Sequence, residues 1–238
     1  MCGRIDFHET LGFTEDIKKI YGDIEDHISY NDELPHKMKQ LYNLFPTSPI
    51  VTLITGEPKK LLKARWGLLP HWAKDIDFNA PINARAESID TKPTFKMPFR
   101  KQRCVIPING FYEWKYTDEG KVPYYIKPKD GEYFMLAGIW DVWTPKDALF
   151  SEDILSTAII TTMPNELMEE IHDRMPVILD EDSQKIWLDD TIDDVDLLKS
   201  LLKPYDSDKM MAYEVDKKVN STAYGGEACI EPVNDIVL

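Results

Sequence analysis

The chain has 238 residues, 43% hydrophobic and 11% aromatic, enough to bury a substantial core as one domain. A formal net charge of −14 argues against a surface coated with cations and confines any nucleic-acid contact to a local groove. Cys2, Cys104 and Cys229 are too few and too far apart for a disulfide framework or a zinc finger, and no apolar run is long enough to span a bilayer, so a soluble cytoplasmic protein is expected.

Taken in chain order, residues 14–21 read as a short helix with Thr14 as N-cap, Ile17, Ile20 and Tyr21 on one face and Gly22 past the end. Strand-like runs follow at 50–54, 61–66, 104–106, 111–116, 124–127, 133–137 and 157–162, each short and rich in β-branched or aromatic residues. Helical patterns return from Pro164 through Ile171, at 183–188 and at 195–202. A last strand at 210–215 precedes an irregular tail. Strands do not alternate regularly with long helices, so the expected class is α+β: one domain over 1–238 around a mixed, barrel-like sheet flanked by short helices.

Position two is chemically the most informative. Removal of Met1 would leave Cys2 with a free α-amine, of pKa near ~8, beside its own thiol. The amine can attack an aldehyde to form an imine, and the thiol can then close a five-membered thiazolidine intramolecularly. In the 110–114 string, alternation puts Phe111, Glu113 and Lys115 on one face and Tyr112, Trp114 and Tyr116 on the other. An enclosed Glu113 would have a raised pKa suited to proton transfer, whereas an open one is an ordinary surface carboxylate. His172, at the end of a predicted helix, can titrate near neutrality or simply cap.

Asn83 and Arg85 lie in a segment that reads as a turn. Trp66 and Trp72, with Arg65 beside the first, suit stacked unpaired bases or serve as core staples. The basic cluster Arg100, Lys101 and Arg103 is either a solvated turn or a phosphate contact.

Several strings occur together and in order. They are Met1-Cys2-Gly3-Arg4, Tyr42-Asn43 with Pro46-Thr47, Arg65-Trp66-Gly67-Leu68-Leu69-Pro70 with Trp72, Asn83-Ala84-Arg85-Ala86-Glu87, Arg103-Cys104 with Pro107, Gly110-Phe111-Tyr112-Glu113-Trp114, Ala137-Gly138 with Trp140, and His172-Asp173-Arg174-Met175-Pro176. This set closely resembles the SOS response-associated peptidase (SRAP) family of abasic-site processing proteins from residue 1 to about Asn220, with 221–238 matching less well.

The resemblance implies that mature Cys2 forms a thiazolidine crosslink with the aldehyde of an abasic site in single-stranded DNA. It makes Asn83 the orienter of the amine or sugar, Glu113 the proton shuttle, and His172 an aid to ring opening. Arg4, Arg65 and Arg85 would hold phosphates, with Trp66 near unstacked bases. It implies lyase-type Schiff-base chemistry, thiol-dependent removal of Met1, and a compact α+β fold. The expected partner is single-stranded DNA bearing abasic sites, met by a monomer without cofactor, metal or membrane and associated with the nucleoid when on damaged DNA. Two alternatives use the same residues. A cysteine hydrolase would take Cys2, His172 and Glu113 or Asn83 as nucleophile, base and orienter, and a non-catalytic single-strand binding module would need only the Arg and Trp residues.

Overall fold

Short runs of β-branched and aromatic residues punctuated by Gly and Pro favour a strand-rich chain. The computed structural model describes residues 2–8, 13–27, 41–56, 58–145 and 152–238. Among these residues the strands are β1 (Ile5–Asp6), β2 (Ile24–Asp26), β3 (Pro49–Ile54), β4 (Lys59–Trp66), β5 (Asn83–Arg85), β6 (Arg103–Ile108), β7 (Gly110–Thr117), β8 (Gly120–Pro128), β9 (Phe134–Trp143), β10 (Ile154–Thr162), β11 (Met175–Pro176), β12 (Met210–Val215) and β13 (Pro232–Val237). The helices there are α1 (Phe13–Tyr21), α2 (Pro93–Lys101), α3 (Glu166–Glu169), α4 (Glu181–Trp187) and α5 (Val195–Ser200).

Strands β4, β3, β6, β9 and β10 pair in that order, and β10 returns to pair in parallel with β4, closing a five-strand mixed barrel. Closure removes the free edges that an open sheet would expose. The second sheet is antiparallel, in the order β1, β7, β8, β12, β13.

Side chains of the barrel strands divide between two apolar layers. Ile50, Trp66, Cys104, Ile106, Leu136 and Ile159 meet Cys2 and, from the second sheet, Ile5, Phe111, Ile126 and Ala212. Leu53, Val105, Ile139 and Ile160 instead pack with Phe13 and Ile17 of α1, Phe99 of α2, Trp187 of α4 and Leu198 of α5. The result is a single compact α+β domain of helices, barrel and second sheet, as the strand pattern implies.

Several elements differ from the sequence reading, each for a local reason. Helix α1 begins at Phe13, so Thr14 lies inside it, while Gly22 does terminate it at φ +75 with its amide on the Lys18 carbonyl. Helix α3 begins only at Glu166, capped by the Asn165 side chain that accepts from the Met168 amide, and ends at Glu169, so Pro164 lies before its first turn and Ile171 beyond its last. Helix α2 escapes a periodicity search because Pro98 interrupts its pattern, although Pro93 opens it in the manner that proline favours. The tail is ordered by β13, which pairs with β12. Thr47 holds φ +76, rare for a β-branched residue, with its amide on the Trp66 carbonyl at 2.8 Å.

The basic cluster splits apart. Arg103 is fully buried, and its guanidinium donates to the carbonyls of Phe99, Arg100, Trp187, Asp189 and Ile192, lashing α4 and the loop after it to β6. Arg103→Met should therefore cost about 3–5 kcal/mol, since it strands several buried acceptors at once. Urea denaturation that finds less than about 1 kcal/mol would disprove this staple.

Asp6, fully buried, accepts from the Tyr125 hydroxyl at 2.7 Å and lies 3.0 Å from His8 Nδ1. The hydrogen bond to Asp6 holds the His8 imidazole above its usual pKa despite partial burial. A raised histidine contributes stability that is complete below its unfolded value, near ~6.5, and is lost as pH rises through the folded value. The melting temperature should fall across that window, and His8→Gln should flatten the fall; an unchanged slope in the variant contradicts the assignment.

Candidate active site

The N-terminal segment reaches the site because β1 pairs antiparallel with β7, Ile5 opposite Phe111, while the Tyr112 amide donates to the Arg4 carbonyl at 3.0 Å. Extending that register sets Gly3 opposite Glu113. Cys2, fully buried, is thereby drawn into the layer between the sheets. Period-two alternation puts Glu113 on the same face of β7 as Phe111, toward that layer, and Glu113 is 2% exposed. Tyr112 packs on the opposite face with Tyr125 and Tyr213. The two faces are those read from the string; Glu113 is enclosed on one, and Tyr112 is buried on the other.

Asn83 arrives on β5, which runs parallel to β10 with Asn83 opposite Ile159. The segment read as a turn is thus a short strand followed by a 3-10 turn over Ala86–Ser88. Asn83 Nδ2 donates to the Cys2 carbonyl at 2.8 Å. Its Oδ1 is buried with no partner among the described residues. His172 follows α3, with its amide on the Met168 carbonyl, and its Nε2 stands 3.8 Å from Glu113 Oε2. The Arg174 amide donates to His172 Nδ1 at 3.0 Å, so the neutral ring carries its proton on Nε2, toward Glu113. Cys2, Asn83, Glu113 and His172, remote in sequence, are brought to one place. An open cleft of about 470 Å³ borders it, lined by Glu113, Trp114, Tyr116, Lys121, His172 and Asn220.

Burial governs the electrostatics. Desolvation lifts the Glu113 carboxyl to about 7. It also pushes the Cys2 thiol well above its usual range, with the negative charge of Glu113 adding to the effect. Desolvation lowers His172 although Asp173 Oδ1 lies 2.9 Å from Nδ1. Asp173 is 89% exposed, so water screens its charge. The imidazole is therefore neutral near pH 7, so its approach to Glu113 is not an ion pair there.

The residues expected on DNA are placed differently from one another. Arg85 is exposed at the end of β5. Arg65 is half-buried and donates to the Gly67 carbonyl at 3.0 Å. Arg4 spends its guanidinium on Asn43 Oδ1 at 2.7 Å and on the carbonyls of Val219 and Asn220. Trp66 requires a correction: it is fully buried in the Cys2 layer with Nε1 on the Ile82 carbonyl, so it is a core staple with no face open for base stacking. Trp72 is the exposed member of that pair, at 48%.

Glu87, within the 83–87 string, has no role legible from the sequence. Its only signal was spacing, four residues after Asn83. Among the described residues no helix is long and apolar enough to cross a membrane, and no cluster of His, Cys, Asp and Glu could hold a metal ion.

A cysteine at position two, held through its own carbonyl and set near a carboxylate and an imidazole, makes this a candidate nucleophilic site. The chain belongs to the SOS response associated peptidase (SRAP) family, whose model matches residues 1–222. It is 43% identical over 235 residues to the abasic site processing protein YoqW of Bacillus subtilis, covering 97% of this chain and 99% of that protein. It is 34% identical over 203 residues to the abasic site processing protein YMR114C of Saccharomyces cerevisiae, covering 82% of this chain and 53% of that one. A crystal structure of a Bacteroides thetaiotaomicron protein superposes with a TM-score of 0.82 at 27% identity, covering 98% of this chain and all of that one.

Because the Glu113 charge helps hold the Cys2 thiol protonated, Glu113→Gln should lower the thiol pKa. The pH titration of thiolate absorbance, taken as the difference from Cys2→Ser, measures this; an unchanged or higher midpoint contradicts the coupling.

Proposed function

We propose that this protein processes abasic sites in single-stranded DNA by forming a covalent thiazolidine through Cys2. The observation that carries the reading is the hydrogen bond from Asn83 to the Cys2 carbonyl, in a site that also sets Glu113 against His172. Met1 is first removed: the Cys2 thiol attacks the Met1 carbonyl with Glu113 and His172 moving protons, the peptide C–N bond breaks as the methionyl group passes to sulfur, and a water molecule then hydrolyses that thioester, releasing methionine and leaving the Cys2 amine and thiol both free. The freed amine then adds to the ring-opened sugar aldehyde, and water leaves as the imine forms. The thiol next adds to the imine carbon. One C–S bond forms, the C=N electron pair moves to nitrogen, and the thiol proton ends on that nitrogen by way of Glu113. The product shields the lesion from strand scission, while the imine alone permits β-elimination.

The chain's own groups suit these steps. A buried neutral thiol needs a proton acceptor as it attacks, and Glu113 at about 7 can take and return a proton near neutrality. His172, neutral with its proton on Nε2, can donate a hydrogen bond to the sugar oxygen, while the proton itself comes from the Glu113 carboxyl. Asn83 Oδ1 is a buried acceptor suited to an amine or sugar hydroxyl. Exposed Arg85 and nearby Arg65 are the cations offered to phosphates, whereas Arg4 orders the arm that carries Cys2.

Intact mass, taken before and after incubation with a short strand containing one abasic site, tests the proposal. The expected result is loss of one Met followed by a gain equal to the oligonucleotide minus water. An unchanged mass in protein already lacking Met1 overturns it. Glu113→Gln should slow crosslinking by about 10²–10⁴-fold. In the parent, with Glu113 acting as base, the ring-closure rate should rise with pH through about 7. Cys2→Ala with a free terminus should keep weak strand cleavage and lose the stable adduct.

A further inference from the structure

His172 is oriented by a neighbour that spends its own charge inside the protein. Arg174 is 7% exposed and forms a two-pronged pair with Glu87, Nη1 to Oε1 at 2.6 Å and Nη2 to Oε2 at 3.0 Å. Nη2 also donates to the Thr161 carbonyl at 2.7 Å, fixing the guanidinium against β10. The backbone amide of Arg174 is the donor that engages His172 Nδ1. Glu87 lies in the 3-10 turn that follows β5, the strand carrying Asn83. One ion pair thus ties the support of Asn83 to the loop of His172.

We propose that Glu87 and Arg174 are a positioning pair that fixes the His172 ring and its Nε2–H tautomer, and so sets the rate of the proton step at the Cys2 site. The rate role rests on the reading of His172 given above; the tautomer role does not. Stability alone is a poor reason for the pair. Burying a guanidinium carries a desolvation cost, and Arg174 Nε is itself buried without a partner among the described residues. The planar fork matches the two carboxylate oxygens in a way a lysine cannot, so the pair specifies direction as well as charge. The hydrogen bond to Arg174 holds the Glu87 carboxyl below its usual value, so Glu87 is ionised at neutral pH. Among the described residues, the charged groups facing the imidazole include Glu113 from β7 and Asp173 and Arg174 from its own loop.

Nitrogen-15 NMR of the His172 ring in the intact protein, without DNA, is the first test. The parent should show the Nε2–H form, and Glu87→Gln and Arg174→Lys should each show a mixture with Nδ1–H. Spectra identical to the parent in both variants overturn the proposal. The second test is the crosslinking rate at saturating abasic strand. It should fall about 10- to 100-fold, the range seen when an orienting partner is removed, with affinity for an intact single strand unchanged. The pH profile should also shift, which a purely structural defect would not produce.

The opposite pattern overturns the rate role: weaker binding, a salt slope smaller by about one, and an unaltered saturating rate would mark Arg174 as a phosphate ligand. If Arg174→Lys fails to fold, Glu87→Gln decides, since it keeps the shape of a half-exposed side chain. If the parent itself forms no crosslink, the proposed function fails, and the NMR result still judges the clamp.

Discussion

The antiparallel pairing of β1 with β7 is the contact on which the site depends. Two residues of strand, Ile5 and Asp6, and the amide of Tyr112 on the Arg4 carbonyl carry the chain end into the layer between the sheets. Asp6, buried and held by Tyr125, anchors one end of the segment, and Arg4, bound to Asn43 and the 219–220 backbone, anchors the other. So short a strand would not persist alone. It persists because its flanks are tied to three other parts of the fold, and Cys2 takes its position from them.

Within that layer, low polarity acts on three groups in the same sense. The thiol of Cys2 and the carboxyl of Glu113 move up and the imidazole of His172 moves down, each toward its uncharged form. A site in which every member favours neutrality is suited to passing a proton between groups without building separated charge. Near pH 7 only Glu113 changes state readily, which makes it the hinge of the chemistry. The tautomer of His172 follows from a backbone amide and therefore from the loop that Arg174 pins.

The arginines show how composition misleads about surface. Three of the six, Arg4, Arg103 and Arg174, are committed to internal carbonyls or carboxylates. Among the arginines, Arg65, Arg85 and Arg100 remain for a phosphate backbone, and with a net charge of −14 this favours local contacts over broad electrostatic capture.

Much was legible in the chain because it depends on neighbours in sequence. The strand runs at 50–54, 61–66 and 210–215, the alternation through Phe111, Glu113 and Lys115, and the α+β class all follow from local pattern. The latent aminothiol of Cys2 follows from its position alone. Other features needed partners far along the chain. Trp66 looks the same in sequence whether it faces a base or a core, and only the second sheet packed over it decides. Arg103 reads as part of a surface cluster until α4 supplies the carbonyls it holds. Glu113 became a group titrating near 7, and not a surface carboxylate, because desolvation is a property of everything packed around a side chain. The sequence by itself determined which chemical groups exist and which local elements present them; the tertiary structure decided which are dry, which are paired and which meet, since burial and distance are set by contacts between residues that the chain order keeps apart.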